Sequence, residues 1–187
     1  MAQPAAAAVI AYVESASGDL ANTALSATAL GQLGVGTNTI TGGISCGDPC
    51  RNTTPNDAYD YWQVTLPVGL TVTAITLTVT DWTAPGSAIF HSFRTGISGG
   101  STISHPFLGN LAASLFSGAM TPIGPADGTL RMDIETFDTA AKAFSYTVAI
   151  QVTGPSPVPE PASLALIGAG LAGLGAVRRR RTARQAD

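Results

Sequence analysis

Cys46 and Cys50 frame the run Cys-Gly-Asp-Pro-Cys, whose C-x-x-x-C spacing differs from the C-x-x-C of thiol–disulfide exchange. In an exported chain this pair is expected to close a disulfide around a tight Gly-Asp-Pro loop. So short a loop shapes its turn and adds little to global stability, because the chain entropy removed by a cross-link grows with loop length. A zinc site would need two further ligands. His91 and His105 are the only histidines and lack a paired spacing, so no zinc is expected. Gly96-Ile97-Ser98-Gly99-Gly100 satisfies G-x-S-x-G, the nucleophile elbow of serine hydrolases. That elbow requires a strand before it, a helix after it, and an acid and then a histidine downstream. Here His105 follows Ser98 by seven residues with no Asp or Glu between, and residues 101–106 are turn-like and β-branched. A Gly-rich hairpin loop is the expected structure.

The carboxylates offer more. Asp48, Asp57, Asp60, Asp81, Asp127, Asp133, Glu135 and Asp138 could supply paired acids or hard oxygen ligands, although no EF-hand pattern is present. Read as loop carboxylates, Asp48, Asp57 and Asp60 are the calcium candidates, with solvated surface charge as the plainer alternative. Glycoside hydrolysis needs two carboxylates a set distance apart in a cleft, which linear spacing does not supply. Trp62, Trp82, Tyr59 and Tyr61 could stack on sugar rings. Trp62 falls on the inward phase of a strand, whereas Trp82, just past a strand in Asp81-Trp82-Thr83-Ala84-Pro85-Gly86, is expected to be exposed and is the sugar-stacking candidate. No set of nucleophile, base and orienting group can be assembled from two histidines and scattered acids, so an enzyme is not expected.

These residues sit on segments whose period is two. In residues 129–137, Leu130, Met132 and Ile134 alternate with Arg131, Asp133 and Glu135. In residues 144–152, Phe144, Tyr146, Val148, Ile150 and Val152 alternate with small or polar residues. Residues 59–66 repeat the device with Trp62, Val64 and Leu66, and Pro67-Val68-Gly69 turns the chain into residues 70–81. That last segment changes phase: Leu70, Val72 and Ala74 share one face, then Ile75, Leu77 and Val79 take over. A β-bulge near Ala74 would keep both sets on the core side. Residues 38–44 and 87–93 are further strand candidates, and residues 9–14 could form the first strand. Short strands punctuated by Gly, Pro, Asn and Asp, without a long amphipathic helix, predict a mainly β fold, an antiparallel β-sandwich or jelly roll.

The 187 residues are 45% apolar and only 11% charged, against roughly a quarter in ordinary soluble domains, with 30 Ala, 23 Thr and a single Lys. This suits an exported β-rich protein. The net charge of −3 excludes a generally basic nucleic-acid binder and conceals a split. Residues 1–158 hold ten acidic and four basic residues, a charge of −6, and residues 159–187 hold two acidic and five basic, a charge of +3. In that tail Pro159-Glu160-Pro161 precedes the uncharged residues 162–177, and Arg178, Arg179, Arg180 and Arg181 follow. At 1.5 Å per residue a helix over 162–177 spans about 24 Å, short of the roughly 30 Å hydrocarbon core, so it is a marginal membrane helix. The four arginines anchor its C-terminal end on the cytoplasmic side, giving an N-out, C-in topology. Gly168-Ala169-Gly170-Leu171-Ala172-Gly173 inside it matches G-x-G-x-x-G, but no strand precedes it and no acid follows at the required distance. Its glycines read as close-packing positions of a membrane helix. The expected organisation is an N-terminal segment 1–20, a sandwich 21–153, a Pro-rich linker 154–161, a transmembrane helix 162–177 and a tail 178–187.

The order of Pro-Glu-Pro, a Leu/Gly/Ala-rich helix and an Arg cluster over about residues 158–187 resembles the PEP-CTERM proteins of Gram-negative bacteria. The resemblance implies a substrate of exosortase, an integral-membrane cysteine transpeptidase-like enzyme that processes the tail in transit, typically in organisms making exopolysaccharide. It implies that Pro159, Glu160 and Pro161 are the recognition motif and Arg178 to Arg181 the cytoplasmic stop. The expected route is a transient inner-membrane stage, then the cell surface or the extracellular matrix of a biofilm, with exopolysaccharide as a partner. Residues 17–40 also have the look of many ectodomains of that class. Asp60-Tyr61-Trp62-Gln63-Val64-Thr65-Leu66-Pro67-Val68-Gly69 together with Tyr146-Thr147-Val148 resembles the bacterial pre-peptidase C-terminal domain, a small secreted β-sandwich. Export calls for a basic start and an apolar run, yet residues 1–13 hold no Lys or Arg and the first basic residue is Arg51. A start codon upstream of this one, a start near the mature end with an added Met, or a degenerate Ala-rich leader would each account for that. The expected function is a non-catalytic exported surface or matrix protein, with a carbohydrate-binding module, calcium-assisted or not, as the alternative.

Overall fold

The computed structural model describes residues 7–46, 57–83, 86–136 and 142–155. Residues 1–155 make one compact unit, and residues 156–187 lie outside the described residues. That unit is mainly β. Its elements are β1 (Ala11–Val13), a single turn α1 (Glu14–Ser17), β2 (Thr28–Gln32), β3 (Gly36–Cys46), β4 (Tyr59–Leu66) and β5 (Thr71–Thr80). Then come β6 (Ala88–Thr95), β7 (Ile97–Ser98), β8 (Ile103–Phe107), β9 (Leu111–Pro122), β10 (Gly128–Thr136) and β11 (Lys142–Thr153). They form two sheets in a sandwich-like arrangement, ordered β1-β3-β11-β5-β9-β7 and β2-β4-β10-β6-β8.

The segments with the cleanest alternation occupy the sheet centres, where both neighbours hold them. Phe144, Tyr146, Val148, Ile150 and Val152 of β11 face Trp62, Val64 and Leu66 of β4 and Leu130, Met132 and Ile134 of β10 across one core in which all are buried. Each such side chain, fully buried, contributes roughly 1.5–3 kcal/mol of transfer free energy. Trp62 and Tyr146 stack across the interface, with ring centroids 5.8 Å apart and planes 15° from parallel. The phase change in β5 is present: Val72 is inward, the register slips between Val72 and Ala74, and Ile75, Leu77 and Val79 return inward.

Strands β2, β7, β8 and β9 were not predicted. The twelve residues of β9 slip register twice against β5, so its buried positions follow no period of two. Nearly all described pairings are antiparallel. The exceptions are β1 on β3 and β2 on β4, both supplied by the first 32 residues. One stretch of chain therefore adds an edge to each sheet, crossing from one to the other between Glu14 and Thr28. Buried Asn38 fastens its beginning, accepting from the Ile10 and Gly34 amides at 2.9 and 3.0 Å and donating to the Gly34 carbonyl at 2.8 Å.

Candidate functional site

At that crossover four carboxylates meet. Glu14 begins α1 where β1 ends, and its two oxygens accept the Leu20 and Gly43 amides, each at 2.8 Å, tying the crossover to β3. Asp19 precedes buried Leu20, and the next carbonyl, that of Ala21, accepts the Tyr61 amide of β4 at 2.8 Å. Asp57 lies just before β4, its carbonyl accepting the Ser45 amide at 3.2 Å. Asp60 is an inward position of β4, with no exposed surface. One carboxylate oxygen from each of Glu14, Asp19, Asp57 and Asp60 lies within 4.8 Å of the others. An open cleft of about 450 Å³, lined by Glu14, Asp19 and Asp57 with Gly42 and Gly43, gives onto the cluster.

Asp60 is held from the opposite sheet. The Tyr146 hydroxyl crosses the core and donates to Asp60 Oδ2 at 2.7 Å. Tyr146 pairs with Gly42 across β11 and β3, and a Cβ at position 42 would collide with the Tyr146 ring and hydroxyl, so glycine there opens the path of the phenol. Asp60 Oδ1 and Asp57 Oδ1 are buried with no hydrogen-bond partner. Burial, reinforced by Glu14, pushes the Asp60 carboxyl up to about 9 against the pull of Tyr146. Burial and then the charges of Glu14 and Asp19 push Asp57 up to about 7. Glu14 is raised by burial despite its two amide donors, and Tyr146 is raised by burial and by Asp60.

A second cluster lies on the outer face of the five-stranded sheet. His91 Nδ1 and Asp133 Oδ2 are 2.8 Å apart, and the Tyr61 hydroxyl donates to Glu135. Burial pushes Asp133 up to about 6, against the opposing effect of His91. Phe93 and Arg131 share the open depression above these groups, about 470 Å³ in volume. Among the described residues no serine, threonine or cysteine lines that depression. Ser98 of the G-x-S-x-G run instead lies on β7, its hydroxyl against the Thr121 hydroxyl at 2.9 Å. Gly99 (φ 87°) follows in the left-handed region, its space closed to a Cβ by the Ala119 carbonyl, and Arg94 donates to the Gly99 and Gly100 carbonyls. The run is a tight turn.

Of the calcium candidates the structure brings Asp57 and Asp60 together, while Asp48 lies outside the described residues. Asp60 corrects the loop reading, since it is a buried strand residue. Glu14 and Asp19 were missed. Their signal is an acid on each side of a short polar run that ends in the apolar Leu20, but only the crossover carries them to Asp60. Trp82 corrects the expectation of exposure: it is half-buried, stacked on Phe144 with centroids 4.9 Å apart and set edge-on to Phe107 at 5.8 Å. Burying that indole against two phenyl rings outweighs the position past the strand end. Cys46 ends β3 and is buried, and its expected partner Cys50 lies outside the described residues. Pro159, Glu160, Pro161 and Arg178 to Arg181 do too, as does the expected membrane helix 162–177. Among the described residues no helix is long and apolar enough to cross a membrane.

A family model described as the PEP-CTERM protein-sorting motif matches residues 157–181. The motif marks an exported protein that exosortase sorts through a membrane-anchored step. The match stops short of the sandwich and lends nothing to its pre-peptidase C-terminal resemblance. No curated protein matches the chain.

Proposed function

We propose that this chain is a non-catalytic surface or matrix protein: an acidic β-sandwich that exosortase delivers to the outside of a Gram-negative cell, where it associates with exopolysaccharide. The observation that carries the reading is the sorting motif over residues 157–181 following a domain with its own closed core. In this reading Pro159-Glu160-Pro161 is recognised at the membrane face, residues 162–177 span the inner membrane N-out and C-in, and Arg178 to Arg181 stop transfer. A Cys46–Cys50 bridge then closes outside the cytoplasm. The carbohydrate-binding alternative is weakened by Trp82, whose ring is taken up by Phe107 and Phe144.

Fractionation of cells expressing the precursor behind a functional leader tests the sorting. With active exosortase the sandwich should reach the surface or medium without its tail. In a strain lacking exosortase, or with Pro159→Ala and Glu160→Ala together, the full-length chain should remain in the inner membrane. Full-length chain retained there despite active exosortase would overturn the reading.

A further inference from the structure

We propose that Glu14, Asp19, Asp57 and Asp60 form a binding site for a divalent cation of the calcium type, which ties the crossover between the two sheets to the head of β4. Oxygens bound to one calcium ion at about 2.3–2.6 Å can lie no more than roughly 5 Å apart, and the four carboxylates here fall within 4.8 Å of one another. The independent sign of a ligand is Asp60. It is wholly buried, and its Oδ1 has no partner, a state that costs free energy unless an ion or a proton satisfies it. Asp57 Oδ1 is orphaned beside it. Among the described residues no Lys or Arg pairs with any of the four.

The donor chemistry narrows the ion. Four carboxylates without imidazole or thiolate select a hard cation and disfavour zinc. Magnesium keeps most of its waters and rarely takes so many carboxylates, whereas calcium accepts six to eight oxygens in a flexible shell. Glu14 still has lone pairs beyond those its two amide donors use. The cleft over Glu14, Asp19 and Asp57 leaves room for waters to complete the shell. The ligands come from two chain segments, residues 14–19 and 57–60, and the Tyr61 amide to Ala21 carbonyl bond lies just beyond both, so the ion acts as a staple. This site goes beyond the sorting reading and does not depend on it.

Thermal unfolding of the purified full chain in detergent, after chelation, tests the site with calcium chloride against magnesium chloride, each at 10 mM. For a dissociation constant of about 10⁻⁴–10⁻³ M, usual for extracellular modules, calcium should raise Tm by roughly 3–10 °C. Magnesium should raise it by much less. Asp60→Asn removes a buried acid and should fold without cation as well as the wild type, but lose the calcium shift, as should Asp57→Asn. Asp81→Asn, outside the cluster, should keep it. Calcium should also slow hydrogen exchange at the Leu20 and Gly43 amides. No calcium shift in the wild type, an equal shift with magnesium, or a full shift in Asp57→Asn with Asp60→Asn would overturn the proposal.

Discussion

Asn38 shows how one buried amide can set an edge. Its side chain satisfies the Ile10 amide and both the amide and the carbonyl of Gly34, while the Ile10 carbonyl accepts the Thr39 amide of β3. Asn38→Ala leaves the buried Gly34 groups and the half-buried Ile10 amide without partners and should destabilise the protein by about 1–3 kcal/mol in urea denaturation. Asp133 gives a prediction in pH. Its carboxyl is raised from 3.8 to about 6, chiefly by burial, so the folded state holds a proton that the unfolded state has already released between those values. The stability this contributes is present below about pH 4 and lost as pH rises through 6. Urea titrations at successive pH values should show the stability of the wild type falling relative to Asp133→Asn over that window and running parallel above it. Parallel curves throughout would remove the effect.

At the scale of elements, strand identity was legible wherever one face met the core and the other met solvent. Residues 59–66 read as a strand, and β4 has those bounds, because Asp60, Trp62, Val64 and Leu66 all point inward. In β5 the phase change could be seen because apolar residues on both sides of Ala74 demanded the same face. Leu77→Ala should therefore cost about 2–5 kcal/mol, whereas Thr76→Ala should stay within about 0.5 kcal/mol, measured by denaturant midpoints. A strand in unbroken alternation from Val72 would reverse that order. Strand β9 was illegible because two slips and its small side chains erase the alternation. Strand β2 was illegible because its partner β4, rather than its own pattern, holds it in the sheet.

For the whole molecule the tail and the sandwich divide the work. The sandwich carries a charge of −6 through residue 158 and the remainder carries +3, so removal of the tail should make the mature protein bind an anion exchanger more tightly than its precursor. Equal elution of the two forms would show that the arginines stay with the protein. Local order alone determined the sorting signal: Pro-Glu-Pro, an apolar stretch and four arginines act in sequence along one segment, so they can be read without knowing what folds beside them. The mainly β class was determined in the same way, since side-chain alternation is a property of consecutive residues. Only the tertiary structure decided that Glu14 and Asp19 face Asp57 and Asp60, and that Tyr146 reaches Asp60 from the other sheet past Gly42. The acids come from segments some forty residues apart. The path between the two sheets sets their distances, and carboxylate chemistry depends on those distances, which linear spacing does not encode.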